Sequence, residues 1–125
     1  MHREAESEPE AVPRPLADPE RALLVKLLSE AFPGRDALRQ QAVDVRGRRI
    51  DEDGSLALVP NPNAGPADVA RRIPVEAQTE DLDGVTIHVL RHVVNGYMNE
   101  LELYREDSGR IQRPITADSL RMIVL

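Results

Sequence analysis

The sequence predicts an α+β domain in which an N-terminal helical hairpin packs on a mainly antiparallel sheet. Leucines recur at helical spacing between Leu23 and Leu28, and from Val43 onward the period of the apolar residues changes to two. Short turns then separate successive β-prone runs, and the clearest of these turns is Asn95-Gly96. Helices that precede a series of closely spaced strands are typical of the α+β class.

Composition limits the classes of function. The chain has 125 residues, which corresponds to one domain, and no cysteine, which excludes disulfide frameworks, thiolate zinc sites and cysteine nucleophiles. Its net charge of −6 argues against nucleic-acid binding. No apolar run approaches the roughly 18 residues of a membrane helix, so we expect a soluble cytoplasmic protein with no membrane contact. Basic residues that are nearly all arginine are typical of a GC-rich bacterial genome.

The first 17 residues are expected to form a disordered arm, and residues 18–125 a single α+β domain. The arm is rich in glutamate and proline and has no hydrophobic period. A first helix is predicted to begin at Asp18, which can cap it, with Pro19 in its first turn. Pro33-Gly34 ends that helix, and a second helix is predicted from Arg35 to about Gln41.

The predicted strands follow with turn residues between them. Their first residues are Val43, Leu56, Pro74, Val85, Tyr97 and Leu120. Residues 61–66 form a loop, and 68–72 are predicted as one helical turn. Asp51-x-Asp53-Gly54 and Asp81-x-Asp83-Gly84 resemble the centre of a calcium loop, but they lack its remaining ligands and are interpreted as turns.

The Asn95-Gly96 turn fixes the register of the strands that flank it. Counting outward from it, and without any irregularity, His92 falls opposite Asn99 and Arg91 falls opposite Glu100. The side toward the helices would then carry the residues His88, Leu90, His92, Asn99, Leu101 and Leu103.

A second register stays open for the same hairpin. A β-bulge near Leu90–Arg91 would move Ile87 and Val89 to the inner face and His88 outward.

His88, His92 and Asn99 are candidate ligand-binding residues. The spacing His-x-x-x-His suits one metal ion on a helix, but on a strand these residues lie about 13 Å apart, too far for one ion to bridge. We therefore predict no metal site and no cofactor. A partly buried histidine beside an amide could act as a general base, or the two could be a satisfied structural pair.

Glu100, Glu102, Glu106 and Asp107 form an acidic stripe and are candidate partner-binding residues. Paired carboxylates can catalyse glycoside hydrolysis. The proximity of Arg91 favours a solvated, salt-bridged surface instead. A function of this stripe would be contact with a basic protein partner.

The stretch DGVTIHVLRHVVNGYMNELELYRED resembles a pattern in a family of small uncharacterised bacterial domains of unknown function. In that pattern a strand ends at a turn glycine, here Gly96, and the next strand reads Glu-Leu-Glu, here residues 100–102, before the acidic turn at 105–107. The leucine-rich helix from Leu23 to Leu28 also fits. Asp107-Ser108-Gly109 departs from the plainer Asp-Gly turn by one residue. The resemblance implies no catalytic residues, and some small acidic proteins of this kind are immunity proteins encoded beside secreted toxins.

These observations favour a non-enzymatic protein-interaction domain, of an immunity or adaptor kind. One alternative is a small-molecule-binding or minor enzymatic domain that uses His92 and Asn99. Another is a structural homodimer formed through an exposed sheet edge such as residues 120–125 (LRMIVL).

Overall fold

A computed structural model describes residues 9–125, which form two α-helices and one seven-stranded antiparallel sheet. The elements in chain order are β1 (Arg14–Pro15), α1 (Asp18–Leu27), α2 (Arg35–Ala42), β2 (Arg46–Arg49), β3 (Leu56–Val59), β4 (Val75–Glu80), β5 (Thr86–Val94), β6 (Tyr97–Arg105), a 3₁₀ turn (Ala117–Ser119) and β7 (Arg121–Val124). The strands lie in the order β1-β2-β3-β6-β5-β4-β7. The predicted α+β class is confirmed.

One hydrophobic cluster contains buried residues from both helices and from one face of the sheet, the inner face. The helices contribute Leu23, Leu24, Leu27 and Leu38. The strands contribute alternate residues, among them Leu56, Leu58, Val75, Ala77, Ile87, Val89, Val93, Met98, Leu101 and Leu103. In residues 9–125, neither helix has the length and hydropathy needed to cross a bilayer.

Both helices begin where the sequence predicts. Asp18 is the first residue of α1 rather than its cap, and the backbone N–H of Ala17 donates to Glu20 Oε1 at 2.8 Å. The helix ends at Leu27, well before Pro33. Gly34 precedes α2 in the left-handed region, with φ of 89°.

Two local predictions are wrong. The strand expected from Val43 begins only at Arg46, because Asp44 turns the chain with φ of 57° and leaves Val43 half exposed. Residues 68–72 contain bends and no helical turn.

The predicted arm divides into two parts. Residues 1–8 lie outside the described residues. Farther along, Glu10 donates its backbone N–H to the Arg49 carbonyl, Arg14 and Pro15 pair with β2 as β1, and Leu16 is buried in the core. Regular secondary structure is therefore present ahead of Asp18, in β1.

The predicted hairpin is present, and its turn has left-handed backbone at both central residues. Asn95 has φ of 54° and Gly96 has φ of 84°, as expected of a type I′ turn. A Cβ added at Gly96 would lie 2.7 Å from Pro66 Cβ, so glycine is required here for space as well as conformation. The buried side chain of Gln41 anchors this turn to α2: its amide N–H₂ donates to the Gly65 and Gly96 carbonyls, and its Oε1 accepts from the Met98 N–H.

A bulge changes the register beyond the first two pairs of the hairpin. Val94 lies opposite Tyr97 and Val93 opposite Met98, as predicted, but His92 lies opposite Glu100 and Arg91 opposite Leu101. Asn99 is therefore the extra residue, on β6.

The bulge sets the faces of the hairpin. Ile87 and Val89 point to the inner face and His88 to the outer face, the outcome expected of a bulge near Leu90–Arg91, and the register shift lies between His92 and Val93. Two predictions of the regular register are wrong: His92 does not face the helices opposite Asn99, and Arg91 does not pair with Glu100 in solvent. Burial of Ile87 and Val89 with Leu101 and Leu103 favours the bulged register.

Candidate functional site

Imidazoles and carboxylates gather on the outer face of the sheet, across β4, β5 and β6. We call this group the outer cluster; its members are Glu76, His88, His92, Glu100, Glu102 and Glu106. Residues of the inner face alternate with these along each strand, so the cluster lies on the opposite side of the sheet from the core. Two separate sets of sequence candidates, the histidines and the acidic stripe, thus meet at one place.

His88 lies between two carboxylates. Its Nδ1 hydrogen-bonds Glu76 Oε2, and its Nε2 lies 2.9 Å from Glu106 Oε1. A neutral imidazole has one N–H, so both bonds require a protonated imidazole or a protonated carboxyl. Burial alone would lower the pKa of His88, but the hydrogen bonds to Glu106 and Glu76 outweigh it and raise the pKa above its ordinary value. The His88 ring also stacks on Tyr104, with centroids 4.8 Å apart.

His92 uses both ring nitrogens in a second network. Arg72 Nε donates to Nδ1 at 3.1 Å, which leaves the proton on Nε2, and Nε2 donates to Glu102 Oε1 at 2.8 Å. The imidazole is therefore satisfied as a neutral ring without Asn99.

His92, Glu100 and Glu102 each place one potential metal-ligand atom within 4.8 Å of the others. The bulge creates this set, because it brings Glu100 opposite His92. A cation on Nε2 would need the proton on Nδ1, which already accepts from Arg72. The hydrogen bond from Arg72 thus disfavours a metal ion on His92 Nε2, and the absence of a metal site shared by His88 and His92 stays a prediction.

The remaining sequence candidates lie apart from the outer cluster. Asn99 is exposed at the bulge. Asp107 belongs to a different network, in which it binds Arg105 through both carboxylate oxygens. The turn carboxylates Asp81 and Asp83 bind the same guanidinium, so Arg105 joins the turn at residues 81–84 to the acidic turn that contains Asp107.

Three residues of the outer face were not singled out in the sequence. Glu76 and Tyr104 contact His88, and Arg72 contacts His92. Alternation along β4, where Val75 and Ala77 are buried, is the signal that could have placed Glu76 outward.

Arg91 has the least expected environment in the chain. Its side chain is fully buried on the inner face, and its guanidinium lies 5.5 Å from the centroid of the Phe32 ring. Among the described residues, no hydrogen-bond partner meets its three guanidinium nitrogens. Burial lowers the pKa of Arg91 to about 10.

Comparison with known proteins places the chain in a family. Residues 13–115 match the family model described as a domain of unknown function, DUF6984. The chain belongs to this family, which agrees with the resemblance to a family of unknown function. No curated protein matches the chain significantly, and no solved structure does so.

Proposed function

We propose that this protein is a non-enzymatic interaction domain that binds a basic protein partner through the outer cluster. The observation that carries the proposal is the concentration of four glutamates on one face of the sheet: Glu76, Glu100, Glu102 and Glu106. Tyr97 and Tyr104 lie on the same side and remain 37% and 36% exposed. Carboxylates around partly exposed tyrosines suit recognition of arginine and lysine side chains.

The electrostatics of this face support a basic partner. Burial raises the pKa of Tyr104, and the charges of Glu76, Glu102 and Glu106 raise it further, which indicates negative potential at the face. The net charge of −6 acts in the same direction at long range. A domain that covers a basic surface in this way would act as an adaptor or an immunity protein.

Charge reversal at Glu100 gives the cleanest test. Within residues 9–125 the side chain of Glu100 makes no hydrogen bond, and the histidine networks use Glu76, Glu102 and Glu106 instead, so Glu100→Lys changes the charge without breaking them. Chemical cross-linking in cells of the native host, followed by mass spectrometry, should capture a basic protein with the wild type. Glu100→Lys should lose it, and binding of the purified pair should weaken as salt rises.

Glu30→Lys and Asp118→Lys are matched controls, because both side chains are exposed and lie outside the outer cluster. They should retain the partner. The proposal is contradicted if the double variant Glu100→Lys/Glu102→Lys still captures the partner. It is also contradicted if both control variants lose the partner to the same extent as Glu100→Lys.

We propose homodimerisation through β7 as the second candidate function. This strand ends the sheet, and Ile123, Val124 and Leu125 are 40%, 47% and 50% exposed. An apolar edge strand is a template for pairing with another strand. Light scattering over a concentration series should detect a dimer that Val124→Lys abolishes and Val12→Lys, a change at another exposed valine, leaves intact. A monomer at all concentrations overturns this candidate.

A further inference from the structure

We propose that a groove between α1 and α2 binds an aliphatic monocarboxylate with a chain of about ten carbons. The groove is formed by residues of the two helices and by residues 28, 29 and 43, which directly follow them, and it shares no residue with the outer cluster. The inference goes beyond the proposed function, and each of the two can fail without the other.

The two helices build the groove from the same pattern. Arg21 and Val25 are four residues apart on α1, and Arg39 and Val43 are four residues apart on α2 and its C-cap. Side chains at this spacing lie on one helix face, so each helix brings one guanidinium and one valine to the groove.

The walls of the groove are aliphatic. Leu24 and Leu28 line it from the buried side, at 1% and 3% exposure, whereas Val25 and Val43 are 57% and 52% exposed at its rim. An apolar ligand in the groove would cover these exposed valine side chains and so remove apolar surface from water.

The charges favour an anion at one end of that ligand. Within residues 9–125, neither Arg21 nor Arg39 forms an ion pair. By contrast, Arg14, Arg105 and Arg121 each form an ion pair with a glutamate or aspartate of this acidic protein. Two unpaired guanidinium groups at one apolar groove are suited to bidentate hydrogen bonds with a carboxylate.

The size of the groove selects the ligand class. Its volume is about 370 Å³, within the usual range of small-molecule sites. That is about two and a half times the roughly 150 Å³ of a cavity that holds benzene, which leaves room for a chain of about ten carbons. A partner helix would need a longer groove than helices of ten and eight residues offer.

Decanoate, kept below its micellar concentration, is the probe. Titration should give saturable one-to-one binding by calorimetry, and the methyl NMR signals of Val25 and Val43 should shift with the same affinity. Decanol and decyltrimethylammonium have comparable chains and no carboxylate, so both should bind at least about tenfold more weakly.

Variants separate the charge from the chain. Arg21→Gln with Arg39→Gln should weaken decanoate binding about tenfold or more, and the exposed Arg39→Gln alone should weaken it without risk to the fold. Arg71→Gln, the same change at an exposed arginine outside the groove, should leave binding unchanged. The proposal is overturned if decanol binds as tightly as decanoate, or if Arg39→Gln leaves decanoate binding unchanged. It is also overturned if the methyl signals that shift belong to residues outside the groove. Binding of an acidic amphipathic peptide to the groove, without binding of decanoate, also overturns the proposal.

Discussion

His92 lies opposite Glu100 across the β5–β6 hairpin, because Asn99 bulges out of β6 with no residue opposite it. This offset of one residue has two consequences. Ile87 and Val89 join Leu101 in the core, and Glu100 and Glu102 reach the same face as the histidines. The outer cluster is thus a product of the bulge.

Deletion of Asn99 should therefore leave the two faces of the hairpin as they are. Asn99 has no residue opposite it, so without it the pairs Val93–Met98 and His92–Glu100 become consecutive and Glu100 stays on the outer face. We expect the deletion variant to keep a cooperative thermal transition and dispersed amide NMR signals. Asn99→Ala changes an exposed side chain and should alter the free energy of unfolding by less than about 0.5 kcal/mol. Loss of the cooperative transition on deletion of Asn99 would show that the hairpin needs the bulge itself.

Local signals in the sequence predicted much of the fold. The starts of both helices and the Asn95-Gly96 turn depend on neighbouring residues, and all three occur where they were predicted. The end of α1 at Leu27 and the turn at Asp44 depend on how the chain packs after the helix, and local signals missed both.

The candidate site was harder to predict, because its register depends on tertiary burial. Regular pairing leaves no residue of the hairpin unpaired, whereas bulged pairing leaves Asn99 unpaired, so backbone hydrogen bonding alone does not predict the bulge. Only the core distinguishes them, since it must bury Ile87 and Val89 with Leu101. His92 was chosen as a candidate residue from the sequence, but the structure gives it Glu102 and Arg72 as partners, which lie on different parts of the chain.

Gln41 is expected to be essential for stability although it is polar. It is fully buried and makes three hydrogen bonds, two as donor and one as acceptor. Gln41→Leu leaves the Met98 N–H and the Gly65 carbonyl without the hydrogen bonds that Gln41 makes to them, at a cost of about 2–4 kcal/mol in the free energy of unfolding, whereas the Gly96 carbonyl still accepts from the Ala67 N–H. Urea denaturation measures this loss. Gln40→Leu, at the exposed neighbouring position, should cost much less, and similar losses for both variants would argue against the anchoring role.

Arg105 should control the stability of the protein in acid. Its hydrogen bonds lower the pKa of Asp107 and Asp83. At Asp81 burial alone would raise the pKa, but Arg105 and backbone N–H groups outweigh it. Because these folded-state pKa values are lowered, the stabilisation is present above the ordinary value of 3.8 and is lost as pH falls through the lowered values.

Thermal melts from pH 7 to pH 2 test this dependence. Arg105→Gln should have a lower midpoint than the wild type at pH 7, and the difference should shrink as the pH falls. Arg110→Gln removes an exposed arginine whose nearest carboxylate, on Glu52, is 3.6 Å away, and it should change the midpoint little at any pH. A difference between Arg105→Gln and wild type that is constant with pH would mean that the ion pairs are not its source.

His88 should give a pH dependence of opposite sign. Its pKa is raised in the folded protein, so its stabilisation is complete below the ordinary value of 6.5 and is lost as pH rises through the raised value. NMR titration should show His88 titrating above 6.5, and Glu106→Gln should lower that pKa by removing one carboxylate. Stability of the wild type relative to His88→Gln should decline from pH 6 to pH 9. Titration of His88 below 6.5 would contradict the arrangement with Glu76 and Glu106.

Arg91 should be replaceable by an apolar residue without loss of stability. Its guanidinium is buried without a hydrogen-bond partner within residues 9–125, and its contact with Phe32 offsets only part of the cost of burying a cation. Arg91→Met keeps the length of the side chain and removes the charge, so the free energy of unfolding should rise by about 1–3 kcal/mol. Arg71→Met, at an exposed position, should change it by less than about 0.5 kcal/mol. Urea denaturation of both variants provides the comparison. A clear loss of stability in Arg91→Met would contradict this prediction, because it would mean that the buried guanidinium is stabilising overall.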